Sequence, residues 1–210
     1  MFTNRQSLST VLVFLTVLLL SVSLIAAPFP EVQYLQHAPT VVALVVLMIA
    51  AGRPWLTLPS FACVVAFWWL HILGARYAYS NVPYDAWSSQ VFGASISSLF
   101  GWERNHYDRL VHFLFGLLCI LPVVEIATVR GRMGLGWALG FALALVMTIG
   151  TAYEIFEWLL TAVVSPEKAE SYNGQQGDMW DPQKDMALAG LGALLALPVV
   201  WKYEKSRCEA

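Results

Sequence analysis

Long runs of apolar residues alternate with shorter polar stretches along most of the chain. Six runs approach the ~20 apolar residues that a helix needs to cross the hydrocarbon core of a bilayer. Because lipid offers the backbone no hydrogen-bond partners, each run is expected to be helical. The pattern predicts an all-α integral membrane protein, a bundle of about six transmembrane helices within one domain over residues 1–210. The expected spans are residues 8–27, 34–52, 58–75, 108–129, 133–164 and 185–201.

The first run has features of a secretory signal, because Arg5 precedes it and small residues close it. Its uncharged part is longer than the ~7–15 residues of a signal core. Pro28 would also follow the expected cleavage point. We therefore expect the run to be retained as the first transmembrane helix.

Residues 86–100 have a mixed pattern, in which large apolar residues recur between serines at roughly helical spacing. Trp87, Val91 and Phe100 are among the apolar positions. This pattern predicts a helix lying in the membrane interface. An irregular loop is the alternative.

The composition supports a membrane location. Hydrophobic residues make up 58% of the chain and charged residues 12%, against a usual ~45–50% and ~25%, and the mean hydropathy is +0.62. So little charge excludes an ordinary soluble enzyme, a disordered chain and a nucleic-acid binder with a basic face. The expected partner is the lipid bilayer, and the sequence names no protein partner.

Lysines and arginines predict the orientation, because they accumulate in short loops on the cytoplasmic side. If both termini are cytoplasmic, seven of the twelve basic residues lie on that side, mostly in short segments. We therefore expect a multi-pass protein of a bacterial inner membrane with both termini in the cytoplasm. The inner basic residues are then Arg5, Arg53, Arg130, Arg132, Lys202, Lys205 and Arg207.

Most of the acidic residues fall toward the opposite, outer face, where they form pairs at helical spacing. Residues three or four apart share one face of a helix, so three helices each present two polar groups together. Carboxylates inside an apolar segment usually pair with one another, a cation or water. The pairs are Asp108 with His112, Glu154 with Glu157, and Asp181 with Asp185.

This cluster suggests three roles. His112, Glu154 and Asp108 are candidate catalytic acids and bases. Arg104, Arg109 and His71 are candidates for binding a polar or anionic head group. A divalent metal ion is a possible cofactor, held by carboxylate oxygens or, if it is zinc, by His112 as well. The candidate metal ligands are Glu157, Asp178, Asp181 and Asp185.

Three functions fit these residues. The favoured one is a membrane enzyme, with a metal ion as its candidate cofactor, acting on a polar or lipid head-group substrate. A small proton- or cation-coupled transporter is the second, although Glu125 is the only acid on a polar path toward the inner side. A structural or partner-binding membrane protein is the third.

Four motifs closely resemble the YjdF family of bacterial inner-membrane proteins. The resemblance covers nearly the whole chain and implies a multi-pass inner-membrane protein without supplying an activity. The motifs are His71-Ile72-Leu73-Gly74 with Tyr77-Ala78-Tyr79, then residues 106–113 (HYDRLVHF), 153–158 (YEIFEW) and 176–186 (QGDMWDPQKDM).

A looser similarity is to the VanZ-like membrane proteins, a family tied to glycopeptide-antibiotic resistance. This sequence departs from their pattern at Glu157-Trp158 and in the acidic loop from Asp178 to Asp181. The positions that match their pattern are Asp108, Arg109, His112, Phe113, Glu154, Asp185 and Gly190.

Overall fold

The computed structural model describes residues 4–163 and 172–209, which form helices and connecting turns without a strand. Within these ranges, six helices are long and apolar enough to cross a membrane. They are α1 (Asn4–Leu24), α2 (Pro30–Ala51), α3 (Leu58–Arg76), α6 (Tyr107–Val129), α7 (Leu135–Leu160) and α8 (Asp181–Glu209). The two short helices are α4 (Tyr84–Phe92) and α5 (Ile96–Phe100). The predicted all-α membrane bundle is confirmed.

Local signals set several helix ends away from the predicted bounds. The helix α1 ends at Leu24, before Ala26 adopts a φ of 46°. Pro30 then opens α2, at a position where its missing N–H costs nothing. The last helix begins at Asp181 rather than residue 185, since the Asp178 side chain accepts a hydrogen bond from the Trp180 N–H just ahead of it. The predicted end of the fifth span at residue 164 lies outside the described residues.

The predicted interfacial helix at 86–100 is divided into α4 and α5. Gly93 ends α4 with a φ of 76°, a left-handed conformation that glycine adopts readily. Ser95 then caps α5, because its side chain accepts the N–H of Ser98. Exposed apolar side chains remain on both helices: Val91, Phe92, Leu99 and Phe100.

Helix α6 is at the centre of the bundle and packs against α3, α7 and α8. Its contact with α8 is close because both helices carry glycine there. A Cβ atom at Gly116 would lie 1.9 Å from the Ala189 carbonyl oxygen, and one at Gly192 would lie 2.0 Å from that of Phe113. Small residues of this kind let membrane helices approach closely.

The termini of four helices meet at one end of the bundle. The first residues of α6 and α8 contact each other there through side chains, and Tyr107 donates a hydrogen bond to the Leu70 carbonyl near the end of α3. The last turns of α7 join them, because Glu154 lies beside His112. We call this the acidic end, and the end that carries Glu125 the opposite end.

Candidate functional site

Arginine side chains hold two of the predicted carboxylates at the acidic end. Arg104 binds Asp181 through two parallel contacts, Nη1 to Oδ1 at 2.6 Å and Nη2 to Oδ2 at 3.0 Å. Arg109 donates from Nη2 to Asp178 Oδ2 at 2.5 Å and to Asp181 Oδ1 at 3.1 Å. Asp178 and Asp181 therefore share these two cations across the contact between α6 and α8.

Asp178 has a third cationic partner. Lys184 Nζ lies 2.5 Å from Asp178 Oδ2. This hydrogen bond, with those from the Trp180 N–H and Arg109, lowers the pKa of Asp178 to about 2. The loop before α8 therefore carries a firmly ionised carboxylate.

Three other predicted residues come together beside this salt-bridge network. Asp108, His112 and Asp185 each offer one donor atom, and the three atoms lie within 4.8 Å of one another. His112 Nε2 is 3.7 Å from Asp108 Oδ1. Donors around one ion lie at most just over ~4 Å apart, because each metal–ligand bond measures about 2.0–2.2 Å. A small inward movement would therefore place all three on one cation.

Glu154 lies next to this group, and its Oε1 makes no hydrogen bond with a described residue. Its Oε1 is 3.5 Å from His112 Nε2, and the residue is only 7% exposed. Among the described residues, neither Glu154 Oε1 nor Asp185 Oδ1 has a hydrogen-bond partner. Buried polar atoms without partners are costly and uncommon. Two such oxygen atoms beside three potential ligands indicate that the site accepts a cation, a proton or water.

Glu157 lies one turn beyond Glu154 on α7. Its carboxylate is not one of the three converging donors. Asn173 Nδ2 donates to the Glu157 backbone carbonyl at 3.3 Å. Burial raises the pKa of the neighbouring Tyr172 to about 12, so this phenol remains neutral at physiological pH. Glu157 therefore lies outside the three-residue cluster, and its backbone carbonyl is bonded by the segment that carries Tyr172 and Asn173.

The ring nitrogens of His71 form hydrogen bonds with groups other than Arg104 and Arg109. Its Nε2 is 3.0 Å from the Gln36 carbonyl oxygen, which can only accept. That nitrogen therefore carries the proton, and Nδ1 accepts from the Tyr79 hydroxyl at 2.5 Å. Both ring nitrogens are occupied, and neither bonds Arg104 or Arg109.

A buried polar face of α2 was not predicted as part of a site. His37 lies within hydrogen-bond distance of Ser23, Gln33 and Thr40, and its ring centroid is 6.3 Å from that of His71. Polar residues at 33, 36, 37 and 40 recur at helical spacing in an apolar segment. That spacing is the signal that could have revealed this face.

An apolar cavity of about 380 Å³ reaches the cluster. Asp108 and His112 line its polar end together with His71, Tyr79 and Tyr153. Apolar residues make up most of the remaining wall. The volume is within the ~300–1,000 Å³ typical of small-molecule sites.

Comparison with known proteins places the chain in a family. Residues 8–206 match the family described as "Predicted membrane protein (DUF2238)". The chain is 31% identical over 172 residues to "Inner membrane protein YjdF" of Escherichia coli (strain K12), an alignment that covers 78% of this chain and 75% of that relative. No solved structure matches. The chain therefore belongs to the DUF2238 family of predicted membrane proteins, in agreement with the resemblance of its four sequence motifs.

Proposed function

We propose that the chain is a membrane enzyme that uses a divalent cation to act on a polar head group at the acidic end. The cation is held by Asp108, His112 and Asp185. The observation that carries the proposal is the buried, unpartnered oxygen on each of Glu154 and Asp185, beside donor atoms that lie within 4.8 Å of one another. A cation at this point would neutralise the carboxylates and give Asp185 Oδ1 the partner that it lacks among the described residues.

The donor set suits a first-row transition metal. One imidazole and two carboxylates leave coordination positions open for water and substrate, as in catalytic zinc sites. When bound by these three residues, a cation of this kind would supply a water of lowered pKa and a Lewis acid for a substrate oxygen. Glu154 is beside His112 and is the candidate for accepting a proton from that water.

The arginine-bound acids then have a positioning role. Asp178 and Asp181 were expected to be metal ligands, yet their oxygens face Arg104, Arg109 and Lys184. Their salt bridges join the start of α8 to the start of α6, which fixes the distance between Asp185 and His112. Arg109 Nε is buried and lacks a hydrogen-bond partner among the described residues.

The charges of α6 favour an enzyme over a transporter. No charged side chain lies between His112 and Glu125 in the sequence of this central helix. Those two positions are about 20 Å apart along the axis at 1.5 Å per residue. A proton or ion pathway needs polar groups through the thickness of the bilayer, and α6 supplies them only near its two ends.

The relative from Escherichia coli is named an inner-membrane protein, and we infer the same membrane for this chain. The distribution of lysine and arginine then favours cytoplasmic termini and an acidic end that faces outward. In this orientation the acidic end lies at the level of the lipid head groups of the outer leaflet.

The test is lipid conversion by the purified protein in liposomes made from a total bacterial lipid extract, with Zn²⁺ or Mn²⁺ added. We expect a lipid species to change in abundance with the wild type, and the change to be lost with Glu154→Gln and His112→Ala. The exposed Glu103, at the same end, supplies the matched control Glu103→Gln. Identical lipid profiles for the wild type, Glu154→Gln and protein-free liposomes would overturn the proposal.

A further inference from the structure

We propose that the apolar cavity receives one hydrocarbon chain of a lipid substrate, which enters sideways from the bilayer between α3 and α7. This inference rests on the proposed function, because it places the head group of that lipid at the Asp108, His112 and Asp185 cluster. It names the substrate class as a membrane amphiphile rather than a water-soluble molecule.

The cavity has the shape that a hydrocarbon chain requires. It extends beside α6 from Asp108 to Cys119, about 16 Å along the axis at 1.5 Å per residue. Phe67, Phe115 and Ile149 are among its apolar walls. No hydrogen-bonding group is needed along such a wall, because a hydrocarbon chain gains free energy only from excluding water and from dispersion contacts.

The cavity wall is formed mainly by α3, α6, α7 and the exposed Pro39 of α2, and contact between α3 and α7 does not close it within the described residues. Both α3 and α7 pack against α6, yet no Cα atom of α3 lies within 8 Å of one in α7 among the described residues. Ile149 lines the cavity and is also 47% exposed on the surface of α7. The opening therefore faces the layer that holds lipid chains, and a lipid can enter without leaving the bilayer.

Polar groups are gathered at one end of the cavity only. Asp108 and His112 line that end and are also two of the three converging donors. Tyr153 lines it as well and precedes Glu154 in the sequence. A chain lying in the apolar part would thus direct its head group to the donors, the arrangement expected for an amphiphile.

A glycine in the cavity wall allows a test. Gly150 lines the cavity, and a Cβ atom there would have no heavy atom within 4 Å. Gly150→Leu should therefore fill the cavity without a clash. Gly140 on the same helix is equally open but does not line the cavity, so Gly140→Leu is the matched control.

The experiment uses full-length protein in lipid nanodiscs that contain a phosphatidylglycerol with a photoreactive diazirine on one acyl chain. After irradiation, mass spectrometry locates the adducts. We expect wild-type adducts on cavity residues of α6 and α7, a reduction of at least five-fold with Gly150→Leu, and no change with Gly140→Leu. Chelation of metal should leave the adducts in place, because the chain is held by apolar contacts.

Adducts confined to lipid-facing side chains outside the cavity, equal in all three proteins, would overturn the inference. The wild-type adduct positions decide this even if a variant fails to fold. Metal content is measured on the same samples and reports separately on the proposed function. Cavity adducts in a wild type that takes up no metal after incubation with Zn²⁺ or Mn²⁺ would refute the enzyme proposal and leave the chain-binding cavity standing.

Discussion

Arg104 and Asp181 form a two-pronged salt bridge that joins the residues just before α6 to the first turn of α8. Asp181 is 2% exposed, so nearly all of its hydrogen bonding is made inside the protein. This pair divides the acids of the acidic end into two groups. Asp178 and Asp181 bind arginine, whereas Asp108 and Asp185 converge with His112, beside Glu154, and form no ion pair with an arginine among the described residues.

Replacing either partner of the Arg104–Asp181 pair should strongly destabilise the folded protein. Removing one partner of a buried ion pair typically costs about 3–5 kcal/mol, because the other charge is left uncompensated. We expect Arg104→Ala and Asp181→Ala each to lower the free energy of unfolding in detergent. The double variant should lose clearly less than the sum of the two. Additive losses would show that the two side chains act independently.

Asp178 should make stability depend on pH in the acid range. Its pKa is lowered to about 2 in the folded protein, below the ordinary ~3.9 of the unfolded chain. The stabilisation is therefore complete above about pH 4 and is lost as the pH falls toward 2. The thermal unfolding temperature of the wild type should exceed that of Asp178→Asn at pH 5, and the difference should vanish near pH 2. A constant difference across this range would contradict the assignment.

The close contact between α6 and α8 should require glycine at position 116. A methyl group there would overlap the Ala189 carbonyl oxygen, since the distance would be 1.9 Å. Overpacking typically costs about 1–3 kcal/mol, and separation of the helices would also move Asp185 away from His112. We therefore expect Gly116→Ala to lower both the unfolding temperature and metal affinity.

Gly136 provides the control for that substitution. It is on α7, and a Cβ atom added there would have no heavy atom within 4 Å. Gly136→Ala should leave metal affinity unchanged and raise helix stability by up to about 1 kcal/mol. Equal behaviour of the two alanine variants would refute the packing argument.

Glu125 should stabilise the opposite end without affecting the acidic end. Its carboxylate accepts from the Thr57 N–H at 2.9 Å and the Thr57 hydroxyl at 3.0 Å, and also from Ser60 Oγ. Arg207 adds an ion pair at 3.3 Å. Glu125→Ala should therefore lower the free energy of unfolding by about 1–3 kcal/mol, because the Thr57 N–H and hydroxyl lose their acceptor. Metal content of the folded fraction should equal that of the wild type, and loss of metal would show that the two ends are coupled.

The sequence predicted the membrane helices because lipid imposes one rule on every span. Each span must be apolar and helical, so the runs alone located the six long helices to within four residues at every end but one, the last helix extending to Glu209 rather than residue 201. Helix ends were less predictable, since they depend on single residues such as Gly93 and Ala26, which adopt positive φ values just after α4 and α1.

The candidate site was only partly predictable. Spacing showed that Asp108 and His112 share a face of α6, because that relation is within one helix. The pairing of Arg104 with Asp181 joins residues 77 positions apart, and it depends on how closely α8 approaches α6. The residue pattern of a single segment gives no information about the distance between two helices. For this reason Asp178 and Asp181 were grouped with the metal ligands.

The most direct test of the central claim is the metal content of the purified protein, measured by elemental mass spectrometry. We predict one divalent cation per wild-type chain and per Glu103→Gln control chain, and less than a tenth of that in Asp185→Asn and His112→Ala. Each variant should elute as the wild type does in size-exclusion chromatography. A metal-free wild type after incubation with Zn²⁺ or Mn²⁺, or equal metal in all four proteins, would contradict a cation site at Asp108, His112 and Asp185.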